Sequence, residues 1–153
     1  MKYEEKKADV TKMPKEYSIA HCISCDCAMG KGVVVPIKEK FKRVKAECIN
    51  YANSCDPYKT AFRYSDENGV CYNMFTKQKV WHNSSRGMSY DEYIDNIKST
   101  LNDVKVQMIA HNESKLAMPK IGCGLDRCNW DDVKNIIFSV FSNTDIEICI
   151  CYI

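Results

Sequence analysis

The chain has 153 residues, 45% of them apolar and 27% charged, with ten cysteines, six glycines and four prolines. That suits a single domain over 1–153 with a hydrophobic core, and excludes two full catalytic domains or a linker-rich disordered chain. Lys and Arg total 22 against 20 for Asp and Glu, and the net charge of +2 gives no electrostatic case for non-specific binding to long nucleic acid or an anionic membrane, while a small anionic ligand remains compatible with it.

The opening segment, MKYEEKKADVTKMPKEY, predicts a short strand near Met1 to Lys6 and a polar loop reaching Pro14. It has no apolar core like that of a signal peptide, and no stretch reaches the roughly 18 apolar residues of a membrane span. The expected location is therefore intracellular, cytoplasmic or nuclear. In that setting the cysteines are expected to be mostly reduced thiols rather than a disulfide framework. Asn83-Ser84-Ser85 and Asn112-Glu113-Ser114 match the glycosylation triplet but are expected to stay unmodified.

Tyr17 to Ser24 is an apolar and β-branched run that predicts a buried strand, followed at once by the polar loop CDCAMGKG. From Val33 to Tyr51, Val34, Ile37, Phe41, Val44 and Cys48 recur near one face, predicting one bent helix or two short ones. Ala61 to Tyr64 and Val70 to Thr76 flank Asp66-Glu67-Asn68-Gly69, where the Asn-Gly pair predicts a hairpin turn with positive dihedrals. Lys77 to Met88 is a basic connection, and Ser89 with Glu92 forms a capping-box pattern opening a long helix. Along it, Tyr90, Ile94, Ile97, Leu101, Val104 and Met108 make the predicted apolar stripe. Leu116 to Met118 predicts a short strand ending at Pro119. A glycine-bearing loop follows, then a helix capped by Asn129 and a terminal strand within Asp145 to Ile153. Strands alternating with helices predict a three-layer α/β/α fold around a central sheet.

Two glycine loops, Met29-Gly30-Lys31-Gly32 and Ile121-Gly122-Cys123-Gly124, each follow a predicted buried strand. Glycine permits positive dihedrals and close approach, and successive backbone N–H groups can face phosphate oxygens, so the pair can grip a pyrophosphate. Neither is a Walker loop or a dinucleotide fingerprint, and each is also compatible with an ordinary tight turn. Cys22, Cys25 and Cys27 have no second cysteine hook, which favours free thiols over zinc. Cys123 reads as a small loop thiol rather than a nucleophile, and His21 as a hydrogen-bonded core residue. Lys77 and Lys79 follow a strand, where they can enter a crevice or form a solvated turn. Asp126 can transfer a proton, orient water or cap local backbone.

Three separated segments carry a more specific signal. They are Ile19-Ala20-His21-Cys22-Ile23-Ser24 with Asp26 and Met29-Gly30-Lys31-Gly32, then Thr76-Lys77, then Met118 to Arg127, MPKIGCGLDR. In this order they resemble the macrodomain family, in the branch of the terminal ADP-ribose protein glycohydrolases, and the likeness covers nearly the whole chain. The resemblance implies a mixed sheet between helices, an ADP-ribose cleft at the strand ends, and hydrolysis with no metal or cofactor. It implies that Asp9 receives the adenine amino group. Ser24, Met29, Gly30, Lys31, Gly32, Ile121, Gly122, Cys123, Gly124 and Leu125 then line the ligand, with Lys31 directed either at the pyrophosphate or at solvent. Ala8 precedes Asp9 where many macrodomains have glycine. The resemblance further implies that Lys77 attacks the distal ribose to form a lysyl sugar intermediate and that Asp126 moves the protons. The expected partners are ADP-ribose and ADP-ribosylated protein, with modified DNA as an alternative, no membrane, and a monomeric chain. A non-catalytic ADP-ribose reader, an ADP-ribose 1″-phosphate phosphatase and a DNA ADP-ribosyl glycohydrolase are the competing functions.

Overall fold

Runs of β-branched and apolar residues become strands in this chain because both of their faces are covered. A computed structural model describes residues 1–153. Its strands are β1 (Lys2–Lys7), β2 (Ser18–Ser24), β3 (Ala61–Asp66), β4 (Gly69–Lys77), β5 (Lys115–Met118) and β6 (Glu147–Tyr152). Its α-helices are α1 (Val34–Lys40), α2 (Val44–Ser54), α3 (Tyr90–Ala110) and α4 (Trp130–Phe141), and a 3-10 turn covers Val10–Lys12. The strands form one sheet in the order β1-β6-β5-β2-β4-β3, parallel throughout except for the hairpin β3–β4.

Strand β4 shows how the layers arise. Tyr72 and Met74 point into a core shared with Ile97, Leu101 and Val104 of α3 and Val133, Ile137 and Phe141 of α4. Cys71 and Phe75, alternating with them, join a second core with Ile37 of α1 and Val44 and Cys48 of α2. The period of two thus fills both faces, and the three-layer α/β/α arrangement expected from the sequence results. No helix is long and apolar enough to cross a membrane, and all ten cysteines are free thiols.

Several local expectations need correction. In the hairpin only Gly69 has a positive φ, 123°, while Asn68 does not, because the Asp66 carboxylate accepts the Asn68 N–H at 2.7 Å and sets the turn. The capping box is half formed: Ser89 Oγ accepts the Glu92 N–H at 3.0 Å, but the Glu92 carboxylate accepts the Tyr58 hydroxyl instead. In the first turns of α3 the buried residue is Tyr93, with Tyr90 and Ile94 only half-buried, so the stripe begins one position away from where apolar spacing puts it. Asn129 does cap α4, accepting the N–H groups of Asp131 and Asp132.

Because β1, β2, β4 and β5 run the same way, the connections that leave them all emerge at one edge of the sheet. The connection from β2 passes to α1 and α2 on one face, and that from its neighbour β5 passes to α4 on the other. Their divergence opens a crevice beyond the strand ends, the usual place for a ligand in such sheets.

His21, fully buried on β2, lies with Nε2 2.6 Å from Asn73 Oδ1. The Asn73 amide donates to the carbonyls of Phe62 and Cys71, so its oxygen accepts and His21 Nε2 carries the proton. Nδ1 is bare and has no partner, and burial lowers the histidine pKa to about 4. Above its ordinary value of 6.5 the ring is neutral in both states; between 6.5 and 4 only the unfolded chain takes the proton. The contribution of His21 is thus full above 6.5 and lost as pH falls towards 4, by roughly 3 kcal/mol. Urea unfolding between pH 7 and 4 should show a steeper loss of stability for wild type than for His21→Gln, which keeps a donor but does not titrate. Parallel slopes would refute this.

Candidate active site

The site begins with an irregularity in the sheet. Ile23 pairs with Phe75 but Ser24 pairs with Lys77, so Thr76 is an extra residue that interrupts the ladder at the end of β4. Such a bulge breaks the two-residue alternation and re-aims the side chains beyond it. Lys77 is buried there, and its ammonium donates to Asp126 Oδ1 at 2.6 Å and to the carbonyls of Val80 and His82 at 2.9 Å each. All three ammonium donors are satisfied. The side chains of Lys77 and Asp126 are 10% and 12% exposed, so each charge depends on the other and on the surrounding dipoles.

The 78–89 connection wraps this lysine and is pinned from three sides. Asp26 Oδ2 accepts the Val80 N–H at 2.9 Å while its Oδ1 accepts Ser24 Oγ at 2.5 Å and the Ala28 N–H at 3.3 Å. Burial would raise the Asp26 pKa, but these donors, Ser24 foremost, hold it below the usual carboxylate range. Asp26 is therefore a charged clasp between the β2 and β4 loops. The Ser84 N–H donates to the Asp126 carbonyl at 3.0 Å, tying in the β5 loop. Gly87, at φ 78°, lies beneath the His82 ring, where an added Cβ would fall 2.2 Å from Cδ2.

The two glycine loops meet across the crevice: a Cβ on Gly32 would lie 3.6 Å from Leu125 Cδ1. The positive dihedrals fall on Cys27, Met29, Gly32, Gly122 and Arg127, and not on Gly30 or Gly124 as glycine content alone suggests. Met29 and Ile121 are buried in opposite cores, so only their backbone is free for a ligand. Gly30, Lys31, Gly32, Gly124 and Leu125 are exposed, and Cys123 is half-buried with its thiol on the Ile121 carbonyl. Burial pushes the Cys123 thiol up to about 11, which works against a nucleophilic role. Asp9 caps the 3-10 turn after β1, its Oδ1 accepting both the N–H and the hydroxyl of Thr11. Those bonds lower its pKa and leave Oδ2 free to accept from a ligand.

Lys31, Lys79, Arg86 and Arg127 stand on the loops with no ion-pair partner, whereas of the loop carboxylates Asp126 is paired with Lys77 and Asp26 alone keeps an unpaired charge. The rim is therefore locally basic despite the small net charge and suits a diphosphate. Arg86 also covers the half-exposed Trp81, 5.1 Å from its ring centroid. Lys79 is exposed and outside the buried pair, in keeping with a steering role.

The sequence reading assigns no role to Tyr93 or Gly87, and it names Thr76 and Asp26 only as motif residues, without the bulge or the clasp they make. Tyr93 donates its hydroxyl to Asp126 Oδ2 and lies 3.2 Å from Thr76 Oγ1. Only the Gly87 loop left a signal, a glycine in a basic connection.

The chain matches no protein-family model. It is 34% identical over 144 residues to the human ADP-ribose glycohydrolase OARD1, a match spanning 94% of this chain and 87% of that protein. Among solved structures it superposes on the Mycobacterium tuberculosis DarG macrodomain with a TM-score of 0.81 at 20% identity, covering 97% and 96% of the two chains. Thermosipho africanus DarTG in complex with ADP-ribose gives 0.80 at 18% identity, over 98% of this chain and 41% of that one. At those identities the structural likeness speaks for the fold.

If the 78–89 loop cages Lys77, Gly87→Ala must displace His82 and with it a carbonyl that holds the ammonium. Labelling of Lys77 by an amine-reactive reagent, followed by peptide mass spectrometry, should then proceed several-fold faster than in wild type at a temperature well below the melting midpoint of either protein. An unaltered labelling rate would show that the loop does not restrain the lysine.

Proposed function

The chain belongs to the macrodomain family, and from that membership we propose that it is an ADP-ribosyl glycohydrolase, freeing ADP-ribose from modified acidic protein side chains. A relative 34% identical over 94% of this chain is itself named an ADP-ribose glycohydrolase. The observation that carries the reading is the buried Lys77–Asp126 pair at the mouth of a crevice floored by two glycine loops. A site that only bound ADP-ribose would have no use for an amine held against a proton acceptor at a strand end.

In the mechanism the loops take the diphosphate through backbone N–H groups, the basic rim steers it, and Asp9 Oδ2 accepts from the adenine amino group. Lys77 rests as an ammonium and must lose a proton before it can attack. Asp126 Oδ1, 2.6 Å away, is the acceptor. The freed amine forms a bond to the anomeric carbon of the distal ribose as the bond from that carbon to the acyl oxygen breaks, and the electron pair leaves with the substrate carboxylate. Asp126 passes its proton to the departing carboxylate. It then takes a proton from water as the hydroxide adds to the anomeric carbon and the carbon–nitrogen bond breaks. Returning that proton to the amine restores the ammonium and releases ADP-ribose. Every step uses side chains of this chain and one water.

A panel of Glu-linked ADP-ribosyl protein, ADP-ribosylated DNA and ADP-ribose 1″-phosphate separates this function from its competitors. Wild type should release ADP-ribose from the Glu-linked substrate most rapidly. Lys77→Ala and Asp126→Asn should each lower kcat by about 10²- to 10⁴-fold, and the double variant little further, because the two act as one unit. Both single variants should still bind ADP-ribose in calorimetry. Tight binding without cleavage of any substrate would instead make the protein a reader, and full turnover in both variants would remove Lys77 and Asp126 from the chemistry.

A further inference from the structure

Resting on that reading of the site, we infer that Tyr93 is a positioning residue for the reaction, holding the Asp126 carboxylate through a buried relay from Thr76 to Tyr93 to Asp126. Tyr93 is fully buried in the first turn of α3. Its hydroxyl donates to Asp126 Oδ2, leaving Oδ1 to Lys77. A phenol has one proton, and this one is committed to the carboxylate. The contact between Tyr93 and Thr76, 3.2 Å, therefore runs from the threonine hydroxyl to the phenol oxygen. Thr76 is the bulge residue itself, so the irregularity that re-aims Lys77 also places the far end of the relay.

The groups around Asp126 make the phenol its only side-chain donor besides the lysine. From β2 comes the Cys22 thiol and from its own loop the Cys128 thiol, both raised by burial and so neutral. From β4 comes Lys77, and from the 78–89 loop only backbone approaches: the Ser84 N–H bonds the Asp126 carbonyl, and the His82 carbonyl faces the ammonium. From α3 comes Tyr93, whose own pKa burial lifts well above its ordinary value, with the neighbouring Cys22 and Asp126 adding to the rise. It stays a proton donor wherever the enzyme works. With each carboxylate oxygen bonded to a different element, β4 on one side and α3 on the other, rotation of Asp126 is blocked and Oδ1 stays on the amine. The Tyr93 ring has a separate packing duty. A Cβ on Gly122 would sit 3.3 Å from Tyr93 Cε1, so the ring backs the second glycine loop.

Those two duties can be separated, since Tyr93→Phe keeps the ring and removes only the hydroxyl. The expected result is a kcat lower by about ten- to hundredfold with an unchanged KM, beside a melting midpoint lowered by only a few degrees. In an Asp126→Asn background the same substitution should add nothing further. Thr76→Val, which leaves the phenol in place but withdraws its donor, should give a smaller change in the same direction, and carries the test should Tyr93→Phe fail to fold. If Tyr93→Phe matches wild type in kcat while Asp126→Asn is inactive, the relay is overturned and the site stands. If Asp126→Asn retains full turnover, the reading of the site itself falls, whatever Tyr93 does.

Discussion

The ion pair between Lys77 and Asp126 is the constraint around which the crevice is arranged. Two nearly buried charges are expensive to desolvate, and their mutual attraction offsets that only when the remaining donors and acceptors are met. Here they are met: two carbonyls complete the lysine, and a phenol completes the carboxylate. The two carbonyls come from the 78–89 loop and the phenol from α3. The β4 strand end, the 78–89 loop, the β5 loop and the first turn of α3 are thus bound to one another through a single pair of charges. Apolar residues of the same size would serve stability at least as well. The proposed proton transfer accounts for charges at this place better than stability does.

What brings those segments within reach is the sheet. Parallel neighbours send their connections out at the same edge, and β2 and β5 send theirs to opposite faces. The resulting gap is lined by main chain, and main chain is what a diphosphate needs. The bulge at Thr76 then does something regular pairing would not. It turns the last residue of a buried strand, one whose neighbours all face the two cores, towards the gap. The clasp from Asp26 to the Val80 N–H keeps the lid of the lysine cage attached to the loop after β2. The glycine loop after β2 and the proposed nucleophile are thereby held in register across the crevice.

Much of this was legible in the residues because it is local. The buried strand over Ser18–Ser24, the paired helices under Val34, Ile37, Phe41, Val44 and Cys48, and the Asn129 cap follow from periodicity and capping chemistry. The glycine loops and Lys77 stood out by their place after strands, and their specific roles by family resemblance. What was illegible depends on distance along the chain. Tyr93 meets Asp126 across 33 positions, and its spacing marks it as one more apolar residue on a helix, displaced from the stripe that Tyr90 and Ile94 suggest. Asp26 reads as loop polarity until Val80 arrives from 54 residues away. The bulge leaves no trace in composition at all, since Thr76 is as suitable for regular pairing as for interrupting it.

Net charge misleads in a similar way. A value of +2 averages over a surface on which the loop cations Lys31, Lys79, Arg86 and Arg127 are unpaired, while of the loop acids Asp126 is offset by Lys77 and Asp26 alone remains. The potential at the crevice is set by this local imbalance, because charges beyond about 10 Å are largely screened in salt. The cysteines add no competing chemistry there: burial raises Cys22, Cys25 and Cys123, so they remain neutral thiols that pack the loops. The crevice is left with an anion-favouring rim, an uncharged backbone floor and one proposed nucleophile whose proton has a single carboxylate to go to. In the proposed reaction, proton traffic confined to one acceptor makes the orientation of that acceptor decisive, and this is why a hydroxyl on the far side of Asp126, touching no substrate, would bear on the chemistry.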